Sequence, residues 1–462
     1  MKRITRQIKR AAFVVLAIAL ILAAAAGAAE KPKFIFLFIG DGMGEAQVQA
    51  ADLCSRASGK GGLAFPSLPA RGKITTKTAK GAVTDSAAAG TALASGYKTE
   101  NGILNMDPSK TKRFVTAAMA ARDRGMKVGI VTSSFMNDST PAAFYAYAPS
   151  RLDLYGLGKQ LAGSGFHYFG GGGLSRRKGK KGDQKDLYEM AAAGGYRVLR
   201  SAGDIQSATP GGKVLASGSA GPLPYEIDRR GGAPSLADFT RVGIKLLDNP
   251  KGFFMMVEGG LIDWTCHRSD TAALVHDVEA FDNAVKEAMA FARERLGETL
   301  IVVTADHETG GMSMGSGATG ERLFKLLFQQ KESNEKFDLK AAEMRKDRQK
   351  SFEKALPVVT DFFGIKALSG EETEELRAAF AQSMKPKAQR KRDKDYNRRY
   401  GPYEPLTMAA SRILAGRAGV SWTSYGHTGA PVPVYAAGPG AEYFAGERDN
   451  THIGRALFHL LP

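Results

Sequence analysis

The segment Phe34–Gly44, FIFLFIGDGMG, places an acidic side chain directly after a run of six apolar residues. An uninterrupted apolar run such as Phe34–Ile39 is typical of a strand that is buried on both faces of a parallel sheet. Three glycines around Asp41 then permit a tight turn that presents its carboxylate. Their spacing differs from the G-x-G-x-x-G of dinucleotide-binding turns, and the acidic residue lies within the turn instead of on the next strand. We therefore interpret Asp41 as a ligand that bridges two cations.

Apolar runs of strand length recur along the chain and alternate with amphipathic helical stretches. Helices are predicted over Ser235–Leu247 and Thr271–Leu296, where apolar residues recur at three-to-four spacing with charges opposite. This alternation predicts an α/β fold in which helices flank a central, mostly parallel sheet. The further predicted strands, all buried and parallel, are Lys127–Thr132, Phe253–Val257, Thr299–Thr304 and Val432–Ala437.

The pattern changes between Met312 and Val420, where charged helical stretches replace clear strands. We interpret residues 312–420 as an inserted, mostly helical subdomain or lid that joins two core strands. Residues 29–311 and 421–462 are then the two parts of the core. Two Gly-rich segments of the core, Gly170–Gly173 and Gly211–Gly221, are predicted to be surface loops. The helices predicted within the insertion are Glu321–Gln330, Leu339–Ala355 and Glu371–Met384.

The N-terminal segment has the pattern of a secretory signal. Five basic residues precede the apolar run Ala11–Ala26, and the small residues at positions 26–28 fit the A-x-A cleavage pattern. We therefore predict that residues 1–28 are a signal peptide and that the mature chain is exported, to the periplasm or outside the cell. The alternative is an uncleaved anchor, because the run through Ala29 is just long enough to span a bilayer. No later stretch of the sequence is long and apolar enough to do so, and no stable membrane span is expected after cleavage.

The formal net charge of +17 is unevenly distributed. Outside the N-terminal segment, basic residues are concentrated in Arg176–Lys185 and Lys385–Arg399, both flanked by Gly, Pro or polar residues as exposed loops are. We interpret both as solvated basic loops. The functional alternative is that they attract phosphorylated substrates or hold the protein against an anionic surface. Neither has the aromatic interleaving or zinc spacing of a nucleic-acid module, so nucleic acid is not expected as the primary partner.

Cysteine usage argues against a disulfide framework. The chain has two cysteines, Cys54 and Cys266, which is too few for an exported protein of this size to depend on disulfides. One disulfide is an open alternative. A bridge at Cys266 would constrain the neighbouring His267, so two free or buried thiols are favoured.

Ser86 lies at the start of a short helix of small residues. It directly precedes Ala87–Ser95, and Gly96 is expected to end the helix. Backbone N–H groups and the helix dipole at such an N-terminus favour an alkoxide and then a phosphoryl group, which makes Ser86 a candidate nucleophile. The alternative is an ordinary N-cap serine, which by itself requires none of the metal ligands found elsewhere in the chain.

Acidic and histidine side chains follow several of the predicted strands. Glu258, Asp306 and His307 come directly after apolar runs, and the carboxyl edge of an open α/β sheet is where ligands bind. The carboxylate of Glu258 is a hard oxygen ligand that suits Mg²⁺.

A second set of candidate ligands lies near the start of a predicted helix and in a loop. Asp263 and His267 are four residues apart, so on one helical turn both side chains point the same way and can hold one Zn²⁺. His427 lies in a Gly-flanked loop. Three of the seven histidines of the chain thus occur beside a carboxylate or a Gly-flanked turn, which favours metal binding over a purely structural role.

These candidate site residues fall in seven short stretches: Phe38–Gly44, Val83–Ala92, Asn137–Pro141, Arg151, Val257–His267, Val303–His307 and Tyr425–Gly429. In content and order the stretches resemble the motifs of the secreted bacterial alkaline phosphatases. The resemblance is residue by residue over most of Phe34–Arg151, Phe253–Gly310 and Trp422–Gly440, whereas the insertion shares no motif. It implies a metal-dependent phosphomonoesterase that releases inorganic phosphate from small phosphomonoesters.

The resemblance also implies a role for each site residue. Ser86 would be the nucleophile and form a covalent phosphoserine, Arg151 would hold two phosphoryl oxygens, and Asp85 would orient that arginine. Two Zn²⁺ and one Mg²⁺ per chain would complete the site. The implied ligands are Asp263, His267 and His427 for the first zinc, Asp41, Asp306 and His307 for the second, and Asp41, Asp138, Thr140 and Glu258 for magnesium.

The chain departs from the best-known members of this family at Trp264, directly after a zinc ligand. Those members carry Lys or His there, whereas Trp supplies neither a cation nor a metal ligand. With Asp85, Trp264 is assigned to the residues that surround and position the phosphate. Less positive charge around the phosphate predicts weaker product binding and faster release.

Other activities remain as alternatives. A two-metal phosphodiesterase of the same superfamily resembles this chain at the zinc ligands but lacks the magnesium set and often the arginine, so Thr140, Glu258 and Arg151 favour a monoesterase. A sulfatase requires a C/S-x-P-x-R context, whereas Ser86 is followed by three alanines. A basic exported binding protein without turnover would not need every position that the chemistry requires. The sequence leaves the assembly open, with a homodimer as the candidate state.

Overall fold

The computed structural model describes residues 31–295, 297–347 and 351–462. The predicted signal peptide, residues 1–28, lies outside the described residues. Within the described part of the chain, no helix is both long enough and apolar enough to cross a membrane.

The strands of the described residues form one large sheet and two small ones. In chain order they are β1 (Phe34–Gly40), β2 (Ala70–Thr75), β3 (Lys127–Thr132), β4 (Tyr168–Gly171), β5 (Tyr196–Leu199), β6 (Lys213–Ser217), β7 (Phe253–Gly259), β8 (Thr299–Thr304), β9 (Glu308–Thr309), β10 (Met312–Met314), β11 (Val420–Trp422), β12 (His427–Thr428), β13 (Val432–Ala437) and β14 (Gly446–Asp449). The large sheet has ten strands in the order β14-β2-β13-β8-β1-β7-β3-β4-β6-β5. The small sheets are the antiparallel pairs β9–β12 and β10–β11.

Helices cover the sheet and also fill the insertion. The α-helices are Glu45–Ala57, Ser86–Ser95, Ala117–Asp123, Ser139–Ala142, Leu154–Gly163, Leu187–Ala193, Ala202–Gln206, Leu236–Leu247, Leu261–His267, Thr271–Glu294, Gly320–Leu327, Asn334–Lys346, Phe352–Phe363, Gly370–Ser383, Lys394–Tyr400, Pro405–Arg417 and Thr451–Leu460. Short 3₁₀ turns occur at Phe65–Ser67, Glu226–Asp228, Lys387–Gln389 and Ala441–Phe444.

The central strands confirm the predicted α/β fold with a mostly parallel sheet. β1 is buried along its whole length and pairs in parallel with β7 on one side and β8 on the other, while β3 pairs in parallel with β7 and β4. The predicted helix at Ser235 begins one residue later, because Ser235 is its N-cap and forms a capping box with Asp238. The predicted helix that begins at Thr271 ends at Glu294. It packs against the helix Leu236–Leu247, and both helices contact strands of the sheet.

The predicted direction of the strand Val432–Ala437 is wrong. This segment is β13, but it runs antiparallel to both of its neighbours, β2 and β8. A parallel strand needs a crossover connection that returns the chain to the opposite edge of the sheet. The chain instead reaches β13 only three residues after β12, at the edge where β8 ends, and therefore enters the sheet in the opposite direction.

The prediction that the two Gly-rich segments are surface loops is also wrong in part. Gly170 and Gly171 belong to β4, and the four residues Gly170–Gly173 are buried. A Cβ at Gly171 would overlap the carbonyl oxygen of Thr132, and one at Gly172 would overlap that of Ser134. Glycine is present because two backbones approach closely. The segment Gly211–Gly221 contains β6, which lies between β4 and β5.

Residues 312–420, for which an inserted, mostly helical subdomain is predicted, contain helices and also strands. β10 and β11 pair at its two ends, so the chain leaves the core and returns to it at the same place. The predicted helix Leu339–Ala355 is wrong, because it spans parts of two helices, Asn334–Lys346 and Phe352–Phe363. The insertion is fastened to the core by polar contacts, among them an ion pair of 2.8 Å between Arg268 and Asp338.

The two basic clusters differ in structure. Arg176–Lys185 has neither helix nor strand, and its basic side chains are exposed. Lys385–Arg399 is not a simple loop, because it includes a 3₁₀ turn and most of the helix Lys394–Tyr400. Within it Arg390 is buried and pairs with Glu404 at 2.9 Å, while most of the other basic side chains are exposed. Cys54 and Cys266 are both buried and free.

Candidate active site

One cluster of candidate ligands lies at the carboxyl edge of the central strands. Asp41 follows β1, and Asp306 and His307 follow β8, which is paired with β1 in parallel. The Nε2 atom of His307 lies 3.2 Å from Asp306 Oδ2 and 3.6 Å from Asp41 Oδ1. One ligand atom from each of the three residues lies within 4.8 Å of the others, and all three side chains are buried. Parallel pairing therefore brings together residues that are more than 260 positions apart in the sequence.

A second cluster adjoins the first. Asp263 and His267 lie on the helix Leu261–His267, with 3.2 Å between Asp263 Oδ2 and His267 Nε2. His427, on β12, has its Nε2 3.8 Å from Asp263 Oδ1. The rings of His307 and His427 stack with centroids 3.7 Å apart, and Asp263, His307 and His427 also place ligand atoms within 4.8 Å of one another. The six predicted zinc ligands thus form one continuous group.

The orientation of two histidines suits metal binding. His267 Nδ1 lies 2.6 Å from the carbonyl oxygen of Tyr425, and His427 Nδ1 lies 2.8 Å from that of Thr84. A carbonyl oxygen can only accept, so each Nδ1 must carry the proton in these contacts. In the neutral rings the Nε2 lone pairs then face Asp263, as in metal sites where a backbone carbonyl orients the ligating histidine.

The charges of the site also fit cations. Asp41 Oδ1 and Asp306 Oδ2 are buried side-chain atoms without a hydrogen-bond partner among the described residues. Burial and the neighbouring carboxylates raise the pKa of Asp41 well above its ordinary value, and burial with the charge of Asp263 raises the pKa of Asp306 to about 7. Buried carboxylates that repel one another need a compensating positive charge. The donor set therefore fits the metal ions that the sequence implies.

A third set of oxygen atoms surrounds the other side of Asp41. Thr140 Oγ1 donates to Asp41 Oδ2 at 3.2 Å. Glu258, which is 1% exposed, accepts a hydrogen bond from Thr132 Oγ1, and burial raises the pKa of Glu258 to about 8. Asp138 accepts from Ser134 Oγ at 2.9 Å. Apart from Asp138, which is partly exposed, these ligand candidates are buried, and hard oxygen donors of this kind suit Mg²⁺.

Ser86 is the first residue of the helix Ser86–Ser95 and not its N-cap. The cap is Asp85, whose Oδ1 accepts from the backbone N–H of Ala88 at 3.0 Å, and Gly96 ends the helix in a left-handed conformation. The Ser86 hydroxyl is thereby free to face the ligand cluster, where its Oγ lies 3.2 Å from His307 Nε2. Ser86 is only 4% exposed. The structure thus places a buried hydroxyl at both a helix N-terminus and the proposed metal ligands.

Arg151 lies between two carboxylates. Its Nη1 donates to Asp85 Oδ2 at 3.2 Å, and its Nη2 lies 3.7 Å from Asp138 Oδ1. Asp85 Oδ2 also accepts from the backbone N–H of Gly102 at 2.8 Å, so Asp85 caps a helix and orients the arginine at the same time. Although burial opposes the charge, Asp138 and Asp85 raise the pKa of Arg151. Arg151 is therefore held as a cation by Asp85, the residue that directly precedes Ser86.

Trp264 follows Asp263 on the same helix and is partly buried. Its ring lies 6.3 Å from that of Phe135, measured between centroids. The carbonyl oxygen of Phe135 accepts from the N–H of Asp138 at 2.9 Å. Trp264 is therefore joined through Phe135 to the segment that carries Asp138.

The sequence reasoning missed two residues that hold the site together. Glu308 accepts from Gln47 Nε2 at 2.7 Å, from the N–H of Met312 at 3.2 Å and from Thr428 Oγ1. Thr309 donates to Asp263 Oδ1 at 2.6 Å and also contacts His307 Nδ1 at 3.2 Å. These contacts fix β9 against β12 and thereby hold His307 beside His427. The sequence signal that could have identified Glu308 and Thr309 was their position directly after His307.

Comparisons with known proteins agree on one family. The family model described as alkaline phosphatase matches residues 32–156 and 160–462. Alkaline phosphatase 3 of Bacillus subtilis (strain 168) is 31% identical over 388 residues, covering 82% of this chain and 77% of that protein. Alkaline phosphatase 4 of the same organism is 33% identical over 390 residues, with the same coverage. The crystal structure of a cold-active alkaline phosphatase from the psychrophile Shewanella sp. covers 93% of this chain and 100% of its own, with 31% identity and a TM-score of 0.77.

Proposed function

We propose, from the premise that this chain belongs to the alkaline phosphatase family and hydrolyses phosphomonoesters, that Ser86 is its nucleophile and that the reaction passes through a covalent phosphoserine. The observation that carries this proposal is the contact of 3.2 Å between Ser86 Oγ and His307 Nε2, within the cluster of carboxylates and histidines. The N–H groups at the start of the helix Ser86–Ser95 support it, because they favour negative charge at that oxygen.

The metal ions proposed for the site are two Zn²⁺ and one Mg²⁺. Asp263, His267 and His427 would hold the first zinc, Asp41, Asp306 and His307 the second, and Asp41, Asp138, Thr140 and Glu258 the magnesium. When bound, these ions would supply Lewis-acid stabilisation of negative charge on the serine oxygen, the alcohol oxygen and the phosphoryl group. The unpartnered oxygens of Asp41 and Asp306 support this assignment.

The side chains of this chain then act in two steps. In the first, Ser86 gives up its hydroxyl proton to solvent and its Oγ attacks phosphorus in line. The bond between phosphorus and the substrate alcohol breaks as the serine–phosphorus bond forms, and the departing alcohol oxygen takes up a proton from solvent. In the second, water attacks the phosphoserine, which releases inorganic phosphate and restores the Ser86 hydroxyl. Arg151 would hold two phosphoryl oxygens through both steps, with Asp85 fixing its orientation.

The test is hydrolysis of a phosphomonoester and a phosphodiester by the purified mature protein, before and after chelation. We expect monoesterase activity that chelation abolishes, zinc restores and magnesium increases. Ser86→Ala should lower the monoesterase kcat by about 1,000-fold or more. Ser95→Ala, at the other end of the same helix, is the matched control and should keep most of the activity.

Two results would change the assignment. A preference for the diester without any response to magnesium would support the two-metal phosphodiesterase. Full activity in Ser86→Ala would exclude the phosphoserine route.

The wider setting of the enzyme is proposed from the sequence. We infer that residues 1–28 are removed on export and that the enzyme acts on small phosphomonoesters outside the cytoplasm, alone or as a homodimer. We also infer that residues 312–420 form a helical subdomain inserted into the core. The mass of the exported polypeptide tests the removal of residues 1–28. Its mass in solution tests whether the enzyme is a monomer or a homodimer.

A further inference from the structure

A pocket of about 230 Å³ lies between the core and the helix Asn334–Lys346 of the insertion. Its core wall includes Leu223, Leu261 and Trp264, and Leu339 lines it from the insertion. Leu339 is 59% exposed, which leaves a large apolar side chain facing an apolar wall with solvent between them.

Trp264 lines the pocket and lies on the helix Leu261–His267, which also carries two of the proposed zinc ligands. This residue directly follows Asp263, one of the proposed zinc ligands, and its ring packs beside Phe135. Phe135 precedes Asp138, whose Oδ1 lies 3.7 Å from Arg151 Nη2. Trp264 is thus shared between the pocket wall and the contacts that lead through Phe135 and Asp138 to Arg151.

The pocket wall also contains a buried hydroxyl group without a hydrogen-bond partner among the described residues. This hydroxyl belongs to Tyr225, which lines the pocket and is 7% exposed. An unpaired buried hydroxyl costs free energy. Three charged residues also line the pocket, Asp228 from the core and Glu335 and Lys336 from the insertion. Six of the ten lining residues are apolar, and mostly apolar walls with a few polar groups are typical of a site for an organic ligand.

We propose that this pocket binds the alcohol portion of the substrate and that the enzyme prefers phosphomonoesters of apolar alcohols, with an alkyl chain of several carbons or an aromatic ring. The inference rests on the proposed function, because it requires the phosphate to be held at Ser86 and Arg151. It assigns to Trp264 and Leu339 a part in choosing the substrate, and to the insertion the outer wall of the subsite.

The test compares ethyl phosphate with n-hexyl phosphate. Their leaving alcohols are both unbranched primary alkanols, so the two esters differ mainly in apolar length. We expect kcat/KM to be about tenfold higher for the hexyl ester, since even one methylene in a hydrophobic pocket changes discrimination by about that much. Leu339→Asp should lower the hexyl-to-ethyl ratio about fivefold, and Leu339→Met should preserve it.

The control is Val358→Asp. Val358 is also an exposed apolar residue of the insertion, 38% accessible, but it does not line the pocket. The ratio of kcat/KM for the hexyl and ethyl esters in Val358→Asp should equal that of the parent. A parent ratio near one, or a ratio that Leu339→Asp leaves unchanged, would overturn the inference while hydrolysis of both esters still supported the proposed function. Activity that does not depend on Ser86 would overturn the proposed function and with it the assignment of the pocket.

Discussion

At the scale of single residues, Trp264 is the position that would distinguish the proposed phosphate site of this chain. It stands directly after Asp263 and beside Phe135, where a cationic side chain would add to the charge of Arg151. Arg151 is already shared between Asp85 and Asp138, so part of its charge is neutralised before phosphate binds. The charge available to retain the product is therefore modest.

The substitution Trp264→Lys tests this account. We expect the inhibition constant of inorganic phosphate to fall about tenfold, which corresponds to about 1.4 kcal/mol, because an ammonium group adds a charge-assisted hydrogen bond to the anion. If product release limits turnover, kcat should fall as well. The measurement is competitive inhibition by phosphate in steady-state hydrolysis.

Trp264→Met is the matched control, because it removes the indole without adding charge. Its inhibition constant should stay close to that of the parent. Phosphate inhibition in Trp264→Lys that is no tighter than in the parent would contradict the role given to Trp264.

At the scale of secondary-structure elements, Asp270 joins the core to the insertion. It caps the helix Thr271–Glu294 by accepting from the N–H of Ala273 at 3.1 Å. It also accepts from Gln330 Nε2 at 2.9 Å and from the N–H of Asn334 at 2.6 Å, at the start of the helix Asn334–Lys346. One carboxylate thus holds two helix N-termini together at a site that is 1% exposed.

This contact predicts a pH-dependent stability. Burial raises the pKa of Asp270 from 3.8 to about 6, so between these values the folded state binds more protons than the unfolded state. The contribution of this group is therefore fully present below pH 4 and is lost as pH rises to about 6. The total loss is up to roughly 3 kcal/mol, at 1.36 kcal/mol per pKa unit.

Asp270→Asn removes the titration while keeping the side-chain shape. Denaturant unfolding between pH 4 and 7 should show the parent losing stability relative to Asp270→Asn as the pH rises. Thr319→Ala, which removes the exposed N-cap hydroxyl of the helix Gly320–Leu327 and leaves every carboxylate in place, is the control and should show no such slope. A difference between parent and Asp270→Asn that is the same at every pH would contradict the prediction.

The secondary-structure elements also show which features of the fold local sequence patterns can predict and which they cannot. β1 and Asp41 were predictable because an apolar run and a Gly-rich turn are local signals. The direction of β13 was not, because it depends on where the preceding chain leaves β12. β4 was missed because its glycines are needed where it passes Thr132, a contact between residues about 40 positions apart. Glu308 and Thr309 were missed because their role lies in holding β9 against β12.

At the scale of the whole molecule, the sheet gathers like charges into one buried place. Asp41, Glu258, Asp263 and Asp306 approach one another because the strand ends and the helix Leu261–His267 meet at the same edge. The fold therefore carries an electrostatic cost that cations at this edge would offset. Binding of metal at 1,000 times its dissociation constant would add about 4 kcal/mol to stability, or roughly 5 °C in Tm for a chain of this length.

This balance predicts that one substitution has opposite effects with and without metal. Asp306 Oδ1 accepts from the N–H groups of Gly42 and His307, and an asparagine oxygen can accept both bonds. Its Oδ2 has no hydrogen-bond partner among the described residues, although His307 Nε2 lies 3.2 Å away, so Asp306→Asn removes a repelling charge without breaking these two bonds. After chelation, Asp306→Asn should unfold a few degrees above the chelated parent. In excess Zn²⁺ the order should reverse, because the variant has lost a ligand.

The comparison is made by thermal unfolding of both proteins with chelator and with zinc. Asp282→Asn provides the control, since Asp282 is a buried carboxylate that pairs with Lys286 at 2.8 Å and accepts from the N–H groups of Ala64 and Phe65. It should lower the unfolding temperature by the same amount in both conditions, because its charge is compensated by lysine and not by metal. If Asp306→Asn behaved like Asp282→Asn, the repulsion among the four carboxylates would not be what metal binding relieves, and Asp306 would not be a metal ligand.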